Sequence, residues 1–229
     1  MKEGRINRME ILDWFFIILL SLAILVLICA IFQFLSSISK NKKINELKKQ
    51  RSKNKRKRKK MIHQRKKLEN QRKKERTRAI VFFLVGILAV GGAFYSRYYQ
   101  SMNLSEKDST AVVQGYLLNT EIDRQLASID KEENVEKTKK NIQELSARLA
   151  SYGARRADGR LSKDGQLMLN QLYKNMKELG LNLSNQSLDS LKEGETLAGY
   201  QEDVKKIQAN QKKVFDYFHV DESALKEKK

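Results

Sequence analysis

The chain of 229 residues has no proline, a single cysteine and two histidines. One cysteine excludes a disulfide scaffold. Two histidines 156 positions apart, His63 and His219, exclude a histidine-based metal cluster and a Ser/His/Asp relay. Phosphate-cradling glycines are missing too. Gly91 and Gly92 sit in an apolar run, and Gly153 and Gly159 are not followed by the Lys-Ser/Thr pair of a P-loop. The acidic group Asp130, Glu132, Glu133 and Glu136 lacks the alternating ligands and central glycine of a calcium loop, so it reads as charge favouring a helix N-terminus. No catalytic residue, cofactor or metal is expected, and the chain reads as a non-enzyme.

What is present is unevenly distributed. The net charge is +19, from 46 basic and 27 acidic residues. Residues 1–36 carry three of each sign, residues 37–78 carry 21 basic and three acidic, and residues 79–229 carry 22 and 21. Essentially the whole excess therefore lies in one segment, unlike a basic globule that spreads charge over its folded surface.

Two long uncharged runs flank that segment. Trp14 to Leu35 contains only Ser21 and Gln33 as polar residues, and as a helix would measure about 33 Å, enough to cross a bilayer. Its length, the neutral N-terminal flank and the lack of a small-residue cleavage site argue for an uncleaved span over a signal peptide. Ala79 to Ser96 is the second span. Its small residues Gly86, Ala89, Val90 and Ala93 allow another helix, most simply the first span, to approach closely. Trp14, Tyr95, Arg97, Tyr98 and Tyr99 make an interfacial anchor, with Arg97 expected to snorkel outward.

The positive-inside rule places the basic segment in the cytosol and hence both termini outside. Arg51, Lys53, Lys55, Arg56, Lys57, Arg58, Lys59, Lys60, Arg65, Lys66 and Lys67 are the candidate contacts to an anionic leaflet or to nucleic acid. Having no Phe, Tyr or Trp for base stacking, the segment ranks lipid above nucleic acid. Ile44, Leu47, Met61, Ile62 and Leu68 are too scattered there to predict a coiled-coil seam.

Beyond Gln100 the pattern is helical and amphipathic. Ser105 with Asp108 reads as a capping box ahead of Ala111, Leu118, Ile122, Leu126 and Ile129. A second helix carries Val135, Ile142, Leu145, Leu149 and Tyr152, and is expected to stop at Gly153 as a C′ residue. A third starts near Ser162 and shows Met168, Leu172, Met176 and Leu179 before Gly180, with a short turn around Leu188 and Leu191 after it. The clearest seam is Leu197, Tyr200, Val204, Ile207, Gln211, Val214 and Phe218, with Gln211 expected at a partly solvated edge. These stripes close either into a bundle within the chain or against another copy.

The predicted fold is all-α. It comprises an outer tail (1–13), a first span (14–36), a basic cytosolic loop (37–78), a second span with its tyrosine belt (79–99) and an extracytoplasmic helical bundle or short coiled coil (100–229). Residues 10–95 resemble the membrane-protein insertases in outline, with an outward N-terminus and a charged cytosolic segment after the first span; the resemblance implies a role in membrane insertion. The reading from the residues is a scaffold or accessory subunit of an envelope or secretion assembly, partnered by the bilayer and another envelope protein, with self-association open. The alternative is an insertion, ribosome- or nucleic-acid-handling factor acting through residues 37–78.

Overall fold

The computed structural model describes residues 8–50, 53–129, 135–187, 190, 191 and 193–226. Arg51, Asp130, Glu132, Glu133 and Leu188 lie outside them, as does the side chain of Val135. Every regular element is an α-helix, and no strand occurs among the described residues.

Two helices are long and apolar enough to cross a membrane. Helix α1 (Arg8–Lys49) and helix α2 (Lys55–Met102) run antiparallel along one another: Ser96 donates to the Leu12 carbonyl at 3.2 Å, and at the other end Arg72 reaches Asn41 and Lys40 pairs with Glu75. Ala23, Ala30, Ser37 and Ile44 recur every seventh residue on α1, as do Ala79, Gly86, Ala93 and Gln100 on α2, and all eight are buried. A strict seven-residue period keeps one stripe of each helix on its partner. The close approach is real at Gly86, where a Cβ would lie 2.6 Å from Leu27. The outer surface is apolar and open, with Phe32 73% and Leu88 76% exposed. Exposed apolar area on this scale marks a surface that meets a membrane or another protein.

The seam does not stop where the charge begins. Ile44 is buried, Leu47, Met61 and Leu68 are half-buried, and Lys40 and Asn41 meet Glu75 and Arg72 across the pair. The segment expected as a basic loop is thus mostly an extension of both helices, packed along a seam. Sequence reading found no seam here because apolar Ile44, Leu47, Met61 and Leu68 share it with polar and charged residues; the seven-residue spacing was nevertheless there.

Helices α3 (Glu106–Ala127), α4 (Val135–Gly153), α5 (Lys163–Ser184) and α6 (Gly194–Phe218) form an up-down-up-down bundle, each packed on its two neighbours in a closed ring. Ser105 caps α3 as expected, and Ser162, near which the third helix was expected to start, caps α5; they accept from the Asp108 and Gly165 backbone N–H groups, each at 3.1 Å. The core holds Ile122, Leu126, Ile142, Leu149, Leu172, Met176, Leu179, Val204, Ile207 and Val214.

Gly153, where the second helix was expected to stop, and Gly180, expected just after the third, share a packing role. Gly153 is the last residue of α4 but has no positive φ, and α5 runs past Gly180 to Ser184. A Cβ on Gly153 would lie 2.4 Å from the Lys177 nitrogen, and one on Gly180 would lie 2.5 Å from the Ser146 carbonyl. Both are contact points of the α4–α5 crossing, where one backbone rests on the other.

Candidate functional site

Two regions gather the polar and charged groups: the far end of the α1–α2 pair, and the junction between that pair and the bundle.

At the far end Lys53, Lys55, Arg56, Lys57, Arg58, Lys59, Lys60, Arg65, Lys66 and Lys67 are all exposed. Asn54 caps α2, its side chain accepting from the Arg56 N–H at 3.0 Å, and no acidic residue occupies the first turn. Positive charges at three- and four-residue spacing repel, and the positive end of the helix dipole adds to the effect. One local relief is Glu69, which accepts from Arg65 at 2.9 Å; that hydrogen bond holds its carboxyl below the usual range. An open cleft of about 470 Å³ lies between the helix ends, with Leu47, Met61 and Ile62 as its apolar lining and Lys48, Arg58 and Arg65 as its cations.

At the junction Asp13 is the centre. Its Oδ1 accepts from Arg97 at 3.1 Å and from Gln100 at 2.9 Å, and its Oδ2 faces Arg160 Nε at 3.2 Å. Arg160 belongs to the α4–α5 connection, and the neighbouring Ser162 N–H donates to the Ser101 carbonyl at the end of α2 (3.0 Å). Deeper in, buried Asp108 accepts from the Tyr173 hydroxyl at 2.8 Å, the Ser105 hydroxyl at 2.8 Å and the Asp158 N–H at 3.1 Å. Burial, then the Asp108 charge and hydrogen bond, push the Tyr173 phenol well up. With the Ala157 N–H donating to Asn170 of α5 at 3.0 Å, one connection is tied to α1, α2, α3 and α5. Sequence reading missed Asp13, because its partners stand far away in the chain and no spacing marks them.

The anchor residues are brought together in part. The Leu12–Ser96 contact sets Trp14 level with Tyr95, and Trp14, Tyr95, Tyr98 and Tyr99 are all exposed on the pair's surface. Arg97 departs from expectation: it turns to Asp13 and lies 5.7 Å from the Phe16 ring instead of reaching outward alone. Ser21 donates to the Ile18 carbonyl of its own helix, so it builds no polar groove.

The seam on α6 is spent within the chain. Val204, Ile207, Gln211, Val214 and Phe218 are buried in the bundle, with Leu197 and Tyr200 packed against its core. Gln211 is not at a solvated edge: it is 2% exposed, and neither side-chain amide atom has a hydrogen-bond partner. No group of three or more His, Cys, Asp or Glu side chains is placed to hold a metal among the described residues, and Cys29 is exposed on the surface of α1. The chain matches no protein-family model, no curated protein and no solved structure.

Proposed function

We propose that this chain is a non-enzymatic, membrane-anchored interaction protein. In this reading α1 and α2 are a transmembrane hairpin with its basic end in the cytosol and both termini outside. The four-helix bundle is then an extracytoplasmic scaffold or accessory subunit of an envelope or secretion assembly.

The observation that carries the reading is the polarity of the helical pair. Its cations crowd one end, an exposed apolar belt follows, and the bundle is hydrogen-bonded to the other end. Short cationic segments stay with the cytosol during insertion, so the opposite end and its bundle go outward.

A pair of reporters fused after Lys229, one active only outside and one only in the cytosol, tests the orientation. Activity of the outer reporter alone is expected; activity of the inner one alone overturns the reading. A second reading, a factor acting through residues 37–78, is favoured by the continuation of α1 to Lys49 and of α2 from Lys55 within that segment.

A further inference from the structure

We propose that the tip of the α1–α2 pair binds the phosphate backbone of a double-stranded nucleic acid, beyond the reach of the membrane in which the pair is anchored.

The first observation is distance. Helix α2 is continuous from Lys55 to Met102, and its apolar run begins at Ala79. Lys60 therefore stands about 28 Å along the axis from that run, and Lys55 about 36 Å, at roughly 1.5 Å per residue. The headgroup layer takes up about 5–7 Å of this, and the Debye length at physiological salt is about 8 Å. The membrane-proximal cations Lys73, Lys74, Arg76 and Arg78 lie within reach of the pair's own leaflet; the tip cations do not. Nor does the segment bend toward the membrane: α2 is one helix from Lys55 to Met102, and Lys40–Glu75, Arg72–Asn41 and buried Ile44 keep α1 alongside it.

The second observation is charge density. Six consecutive cations, Lys55 to Lys60, are exposed on continuous helix, and no carboxylate lies between Glu46 and Glu69 in the chain. That is one positive charge per about 1.5 Å of axis, fanned around the helix at about 100° per residue so that every side of the tip presents cations. A nucleic-acid duplex carries one negative charge per about 1.7 Å, whereas an acidic protein surface mixes its carboxylates with other side chains and seldom sustains such a density. Repulsion among the six is relieved by a polyanion of matching density. The adjoining cleft adds Lys48 and Arg65 around apolar Leu47 and Met61, so the cations surround a concavity. With no aromatic residue in the segment, bases are not stacked upon and binding is independent of sequence.

The test uses the full chain in nanodiscs of zwitterionic lipid, with fluorescence anisotropy of a labelled RNA duplex and a DNA duplex of the same sequence. Wild type is expected to bind, with log K falling against log salt at a slope near −5 if six phosphates are neutralised. Replacing residues 55–60 with Gln should weaken binding at least tenfold and flatten the slope, with helix content by circular dichroism unchanged. Exchanging Lys for Arg and Arg for Lys at the same six positions should retain it, which separates charge from folding. Replacing Lys73, Lys74, Arg76 and Arg78 with Gln should change it less than about twofold, since those side chains lie outside the site. Preference for either duplex names the source, and equal affinity shows that phosphates alone are read. Absence of wild-type binding, equal weakening by both Gln variants, or binding only to anionic vesicles overturns the proposal. Binding does not depend on which side the tip occupies in the cell, so this outcome and that of the reporter fusions are separable.

Discussion

Asp13 and Arg160 meet at 3.2 Å although one lies near the start of the chain and the other in the connection between α4 and α5. With Arg97 and Gln100 on the same carboxylate, the contact seats the bundle on the end of the helical pair. The groups are partly exposed, so each ion pair is worth about 0–1 kcal/mol. Asp13→Ala is therefore expected to leave the bundle's melting temperature nearly unchanged while loosening the 154–162 connection. Limited trypsin digestion should then cut after Arg155 and Arg156 several-fold faster than in wild type, and an unchanged rate would show that the junction is held by other contacts.

Gly153→Ala and Gly180→Ala set helix propensity against packing. Alanine in a helix is favoured over glycine by about 0.8–1 kcal/mol, but here each new methyl would meet the neighbouring backbone within 2.4 to 2.6 Å. Backbone cannot swing aside as a side chain can, so a net loss of about 1–3 kcal/mol is expected for each. Gly199→Ala on α6, with nothing within 4 Å, is the control and should gain about 1 kcal/mol. Chemical denaturation of the three variants reads the difference in sign.

Gln211→Met should stabilise the bundle. The side chain is buried beside Gly115 and Met176 with both amide atoms unpaired, and leaving buried polar atoms without partners costs about 1–3 kcal/mol. Methionine keeps the length and flexibility and removes the polar atoms. A melting temperature no higher than wild type would show that Gln211 meets a need that the packing does not reveal.

Tyr173 makes the bundle sensitive to alkali. Its phenol is raised above the ordinary value of about 10 by burial and by Asp108. The fold thus favours the neutral form, and this contribution is complete below about pH 10 and is lost as the pH climbs from there toward the higher folded value. Tyr173→Phe leaves one Asp108 oxygen without that donor, so at neutral pH it should cost about 1–3 kcal/mol. Above pH 10 its stability should fall less steeply than that of wild type, as followed by denaturation across pH 8 to 11.

Much of the architecture was legible without coordinates. The uncharged runs, the serine caps at Ser105 and Ser162 and the α6 stripe from Leu197 to Phe218 rest on local causes: residue type, spacing, and a hydroxyl beside free N–H groups. The small-residue stripe from Gly86 to Ala93 also faces the first apolar helix as expected. The basic segment was legible as charge but not as shape, since a seam built from Ser37, Lys40, Glu75 and Arg72 has no apolar signature.

The residue order by itself settled that this chain is helical, that two of its helices are apolar enough for a membrane, and that its excess of positive over negative charge lies between the two apolar runs. These are sums over neighbours along the chain, and neighbours are all a sequence displays. Only tertiary packing decided that Gly153 and Gly180 are contact points of the α4–α5 crossing, that Gln211 is enclosed, and that Asp13 holds Arg97 and Arg160 together. Each of these depends on a group brought near from a distant part of the chain, where burial and Coulomb attraction act through space whatever the separation in sequence.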